Sequence, residues 1–309
     1  MRGIRIGIGV ADAGGTPLDV VLGQIRDAEH AGFASVWIPN IFGLDALTLA
    51  ALAGRETSRI ELGTAVVPTH SRHPVYAAQQ ALSTQAACAG RFAFGLGPSH
   101  QVVIENMLGL SFAKPALHVE EYLRVVTDLV RDGKSSFQGR LYRVNASLRV
   151  ACGAPPPVLI GALGPRMRRI AGALSDGTIT WMTGRRTLAE RIGPDVRAAA
   201  REAGRAEPRV VAGLPVAVTA DVDGARAAAS KAFALYGNLP SYRAMLDAEG
   251  VRDPGELAIA GDAAAVEAAL RGLADAGVSD FNAVPFGHGD DAKASLRRTR
   301  ELLGELARA

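Results

Sequence analysis

The feature that most constrains this chain is a regular alternation of short apolar runs with helical patterns. In chain order the runs cover residues 4–10, 35–38, 60–67, 92–96, 158–160, 178–182, 209–218 and 280–284. Runs of this length, rich in β-branched residues and bounded by turn residues, read as strands. Between them apolar residues recur at helical spacing over about 44–54, 74–88, 99–108, 115–131, 166 onward, 188–203, 222–237, 240–249, 263–276 and the C-terminal segment. In the first helix Leu18, Val21, Leu22, Ile25 and Ala28 form the apolar face, and Thr16 is read as its cap. Strand, helix and strand in succession imply right-handed parallel connections. Eight such units in 309 residues close into a (β/α)8 barrel more readily than they form an open sheet. The helix exits rhyme at Ala31-Gly32, Ala89-Gly90 and Ala276-Gly277, where glycine supplies a left-handed cap. No linker divides the chain, so one domain over residues 1–309 is expected. It carries a β-hairpin insertion (137–142 with 148–150) and a helical excursion near 238–258.

A barrel of this kind places its chemistry at the C-terminal ends of its strands. That rule selects Asn40 after the second strand and Pro68 to His73 after the third. It selects Gly97, Pro98, Ser99 and His100 after the fourth, Trp181 and Met182 after the sixth, and Phe286 and His288 after the eighth. Four of the six histidines, His70, His73, His100 and His288, thus fall on one face. The fifth strand ends in Gly161-Ala162-Leu163-Gly164-Pro165, and a helical pattern starts at Arg166. Proline suits the first helical position. A glycine-bearing turn opening a helix aims free N–H groups and the positive helix end at the strand edge, which favours a phosphate. The bland alternative is a tight turn and nothing more.

Several chemistries are disfavoured. The histidines lack metal-type spacing and no metal site is expected. No G-x-S-x-G presents a nucleophile. The four lysines, Lys114, Lys134, Lys231 and Lys293, lie off the strand ends, which argues against a Schiff base. A net charge of +3 is no footprint of a nucleic-acid binder, and the arginines at 166–169 and 297–300 read as solvated helix faces. Cys88 and Cys152 read as reduced thiols. No apolar run approaches a membrane span. Residues from Arg2 to Asp12 read as a strand rather than a signal peptide, so a cytoplasmic protein is expected.

Four stretches carry a resemblance over nearly the whole chain: 34–37; 60–68 continuing through Arg72-His73-Pro74; 90–92 with 95–97; and 157–162 with Asp176-Gly177. They resemble the bacterial luciferase-like superfamily, and within it the coenzyme F420-dependent oxidoreductases. The resemblance implies a TIM barrel with the cofactor at the strand C-termini. It implies a non-prolyl cis peptide at Ala65–Val66, a bulge that with Val67 backs the deazaflavin ring. Gly97, Pro98 and Ser99 match the wall beside the ring. Gly161, Ala162, Leu163, Gly164 and Pro165 match the phosphate site, and Asn40 and Trp181 complete the expected contacts. Several relatives carry an acidic residue followed by histidine after the second strand, where this chain has Asn40-Ile41. Ile41 transfers no proton, so C=C or C=N reduction is favoured over alcohol oxidation, with His70 or His100 supplying the proton. A small-molecule substrate and a homodimer are expected. The alternatives are a flavin mononucleotide (FMN) monooxygenase and a non-catalytic flavin-binding barrel.

Overall fold

The computed structural model describes residues 3–10 and 14–309, so Arg2 and Asp12 lie outside the described residues. Eight strands form the barrel: β1 (Arg5–Gly9), β2 (Ser35–Ile38), β3 (Glu61–Thr64), β4 (Phe92–Gly97), β5 (Val158–Gly161), β6 (Gly177–Trp181), β7 (Arg209–Val218) and β8 (Asp280–Pro285). Each pairs in parallel with the next, and β8 pairs with β1, which closes the ring. Each strand is followed by a principal helix: α1 (Leu18–His30), α2 (Ala46–Glu56), α3 (Pro74–Ala87), α4 (Pro115–Asp132), α5 (Pro165–Leu174), α6 (Gly193–Glu202), α7 (Ala263–Asp275) and α8 (Ala292–Arg308). This is the TIM barrel that the alternation implied. Gly32, Gly90 and Gly277 all have positive φ at the helix exits, as the rhyme required.

Side chains alternate between the two faces of each strand. The outward set packs under the helices in one large core. The inward set makes a separate inner core of Trp37, Ala93, Leu159, Ile179 and Val211. Trp37 is fully buried, and a Cβ at Gly63 would lie 2.4 Å from its ring, so the glycine makes the room. Truncating such a residue to alanine costs about 3–5 kcal/mol. Below this layer, at the strand N-termini, the barrel is plugged by charge. Arg209 donates to Glu61 at 2.7 Å and to Asp280 at 2.7 Å, while Arg5 reaches Asp280 at 3.1 Å. Burial opposes the charge on Arg209, yet these carboxylates outweigh it and raise its pKa. Its guanidinium also lies 5.9 Å from the Trp37 ring, joining plug to core.

Several boundaries differ from expectation for identifiable reasons. The third apolar run is two strands, Glu61–Thr64 and Val67–Pro68, separated by a cis Ala65–Val66 peptide. The hairpin pairs Lys134–Gln138 with Arg143–Ser147, so residues 139–142 form its turn and 148–150 lie outside it. The cause is Glu121, whose carboxylate accepts from the N–H groups of Arg140, Leu141 and Tyr142 at 2.8, 2.8 and 3.0 Å. Thr16 is not a cap; α1 begins after Pro17, with no side-chain cap bond. The expected helix over 99–108 is a π-helical turn, Val102–Met107. The pattern over 222–237 breaks at Phe233 into Val222–Ala232 and Ala234–Asn238. Ile259–Gly261, too short to read, adds a parallel strand to the end of β7. Arg168 is buried rather than solvated and pairs with Asp195 at 2.8 Å. Among the described residues no helix is long and apolar enough to cross a membrane.

Candidate active site at the barrel mouth

The inward positions above the Trp37 layer include Gly97, Gly161 and Gly213, alongside Trp181 and Asn282. Three of these carry no side chain, so the top of the barrel has a shallow floor suited to a flat ring. At Gly97 the absence is enforced, because a Cβ there would lie 2.4 Å from Cγ2 of Val66. Ala65 and Val66 rest on the inner core and are partly exposed above it. Val67 is buried and pairs with Leu96, fixing the bulge beside β4. Two non-glycine residues with positive φ stand just past strand ends, Ser99 at 62° two residues after β4 and Met182 at 49° directly after β6. Such conformations cost of order 1–3 kcal/mol each and gather at functional sites.

The turn after β5 is braced from behind. Arg168 donates to the Leu163 carbonyl at 2.6 Å, and Ala162 is fully buried. Gly164 is the N-cap of α5, Pro165 is its first residue, and no side chain caps the helix. The N–H groups of Arg166 and Met167 therefore have no intrahelical acceptor. Gly164 has an ordinary φ of −74°, so its backbone does not demand glycine. A Cβ there would meet nothing within 4 Å, and at Gly161 nothing closer than 3.7 Å. What the two glycines provide is space in front of an uncapped helix end. That space and those donors fit a phosphate group.

Beside the end of β4 sits an imidazole pair, His118 buried and His70 half-buried. His70 stacks on His118 of α4, with ring centroids 3.8 Å apart and planes 13° from parallel, and on Phe112 at 5.3 Å. Nε2 of His118 lies 2.9 Å from the Thr69 hydroxyl, and its Nδ1 lies 3.3 Å from the Tyr142 hydroxyl. Both ring nitrogens of His70 are buried without a hydrogen-bond partner. Burial lowers the His70 pKa; the nearby Pro98 carbonyl opposes this without reaching hydrogen-bond geometry. Burial, aided by the neighbouring His70, pulls His118 down to about 4 against the Glu121 charge. Burial, then the Glu121 carboxylate, pushes the Tyr142 phenol up to about 12. Burial thus favours the neutral form of both imidazoles, and either would be a stronger acid once protonated than a free histidine.

The other expected residues are distributed around this frame. His100 does not join His70; its ring faces Tyr242 at 5.6 Å, and burial lowers its pKa too. Tyr242 continues through Tyr236 (5.0 Å) to Trp181 (5.8 Å), and Phe233 (5.6 Å from Trp181) leads on to Phe286 and His288. Tyr242 of the helical excursion thus joins His100 to an aromatic row through Tyr236, Trp181 and Phe233. The Trp181 indole N–H, Oδ1 of Asn282 and both His288 nitrogens are buried there without partners. Asn40 turns its Oδ1 back to the Ala46 N–H at 3.0 Å, holding the entry to α2. His73 caps α3 through Nδ1 and the Val75 N–H. Residue-by-residue reading missed His118, Tyr142, Tyr236 and Tyr242. Only the phase of His118 within α4, one turn before Tyr122, marks it as core-facing. Among the described residues no group of His, Cys, Asp and Glu could hold a metal ion.

Known proteins with this arrangement are recognisable. A protein named putative coenzyme F420-dependent oxidoreductase, from Mycobacterium tuberculosis, is 30% identical over 189 residues, 57% of this chain and 54% of that protein. The chain therefore spans about half the length of that relative. The coenzyme F420-dependent tetrahydromethanopterin reductase from Methanopyrus kandleri has the same fold, with a TM-score of 0.80 at 22% identity over 98% of this chain and 97% of that one. The oxygenating constituent of 3,6-diketocamphane monooxygenase from Pseudomonas putida, solved with FMN, also shares it, with a TM-score of 0.75 at 16% identity over 98% and 97%. The model of the luciferase-like monooxygenase family matches residues 4–284, and the chain belongs to that family.

Proposed function

We propose that this chain is a coenzyme F420-dependent oxidoreductase acting on a small organic molecule at the barrel mouth. The observation that carries the reading is the space before α5, where Gly161 and Gly164 open onto an uncapped helix end. It and the Ala65–Val66 bulge follow the two strands that flank β4, with Gly97 between them. F420 rather than FMN is supported by the name of the sequence relative and by the four matching stretches. In this reading residues 161–165 hold the cofactor phosphate, and Ala65, Val66 and Val67 back its ring. Gly97, Pro98 and Ser99 form one wall, with Asn40 and Trp181 flanking. When bound, the cofactor supplies hydride chemistry at its C5.

The chain's own part is then to orient the substrate, exclude water and manage one proton. Ile41 stands exposed after β2 and transfers no proton, while Asp45, the acidic side chain of that loop, is held by the Thr48 N–H and Arg72. The candidate proton donors are His70 and His100, whose burial favours the neutral ring at rest. Either ring would have to take a proton from solvent and pass it to the end of the C=C or C=N bond that does not receive the hydride. The test is separate titration of the protein with F420 and FMN, followed by reduction in air. Tighter F420 binding without oxygen uptake is expected. Tighter FMN binding with oxygen consumption would contradict the reading.

A further inference from the structure

A surface hollow of about 290 Å³ runs between α4 and α5, along α5 from Arg166, its second residue, to Leu174 at its far end. Its polar lining is Glu120 and Arg124 on α4 with Arg166 and Arg169 on α5. The spacings i, i+4 and i, i+3 put each pair on one helix face. Glu120 is shared: Arg124 and Arg166 each approach its carboxylate at 3.3 Å. Arg169 has no carboxylate partner among the described residues. Three guanidinium groups thus face one carboxylate, an excess of two positive charges. Arg168, between them in sequence, does not contribute; it is turned to Asp195 and the Leu163 carbonyl.

The charge excess has no structural purpose that the fold reveals. Arg124 and Arg166 are about half exposed, and pairs of that kind contribute little to stability. Its position is informative instead. Arg166 is the second residue of α5, next to the N-cap Gly164 and the space that fits a phosphate. A chain leaving that phosphate over the helix end meets Arg166 first, then Arg169 and Arg124.

Resting on the functional reading above, we infer that this groove receives an acidic extension of the cofactor beyond its phosphate. Chemically, the occupant is the run of linked glutamates that F420 carries and that FMN, which ends at its phosphate, lacks. Carboxylates entering the groove would find Arg169 unpaired and would compete with Glu120 for the other two arginines. The groove would then act as the part of the site that tells the two cofactors apart.

The experiment compares dissociation constants for long-tailed F420 and for the same cofactor trimmed of its glutamates. It uses the whole protein, at low and high salt, in the parent and in R169E and R124E. In the parent the long-tailed form should bind about three- to tenfold more tightly, and salt should erase the difference. Both variants should lose that preference while holding the trimmed form as the parent does, which also shows that they are folded. Equal affinity for the two forms in the parent, indifferent to salt, overturns the inference and leaves the functional reading standing. Failure of either form to bind removes both. Unchanged tail preference with an altered oligomeric mass in the variants would assign the groove to a second copy of the chain instead.

Discussion

Replacing Gly164 by aspartate separates a phosphate site from an ordinary turn, because stability and binding should move in opposite directions. The residue is the N-cap of α5, its φ is −74°, and a Cβ would meet nothing within 4 Å. The folded backbone therefore accepts a side chain without strain. Aspartate is a better N-cap than glycine by a few tenths of a kcal/mol, since its carboxylate can accept from an orphan N–H in the first turn. The melting temperature should stay within about 1 °C of the parent or rise slightly. The same carboxylate occupies the donors and the space that a phosphate needs, and repels it. Losing one charge-assisted hydrogen bond of about 1.5–3 kcal/mol weakens cofactor binding by roughly 10- to 150-fold. A deazaflavin without the phosphate-bearing tail should bind parent and variant alike. The assay is a pair of fluorescence titrations, whole and truncated cofactor, beside a thermal melt. Equal losses for both ligands, or a fall of several degrees in melting temperature, would show that the turn was distorted and that no phosphate is held there.

Other outcomes follow from the same structure. Gly97→Ala drives a Cβ to 2.4 Å from Cγ2 of Val66, so the bulge must shift; overpacking of this kind costs about 1–3 kcal/mol, measurable by urea denaturation, and should weaken cofactor binding in a titration. Arg209→Met at the opposite end leaves the Asp280 side chain, 1% exposed, without its main partner; a loss of about 3–5 kcal/mol in stability with unchanged cofactor affinity is expected, read by urea denaturation and the same titration. His118 is held neutral in the folded protein, with a pKa near 4 against about 6.5 unfolded, so the unfolded chain takes up its proton first as pH falls. Stability present above pH ~6.5 should therefore decline toward pH 4, and His118→Phe should flatten that decline in urea melts at pH 7 and pH 5.

What could be read from the residues was whatever is local in sequence. The strand run 158–160, its glycines and Pro165 announced the turn before α5, because each acts through its own backbone. The barrel followed from counting such units. The cis Ala65–Val66 peptide came from resemblance, since nothing in the residues themselves marks it. The stacked imidazole pair was illegible because it joins the loop after β3 to a helix beginning at residue 115, and α4 presents His118 within an ordinary apolar pattern. The aromatic row was hidden for the same reason: Tyr242 meets His100 only after the excursion folds back over the mouth. The hairpin shifted because one carboxylate, on Glu121, captures three N–H groups from a segment whose residues suit a strand.

The most direct test of the account is a competition. The purified protein is equilibrated with equal concentrations of F420 and FMN, separated from free ligand, and the retained cofactor is identified by mass spectrometry. The account predicts retained F420, and predicts that G164D retains neither. Retention of FMN by the parent would contradict it.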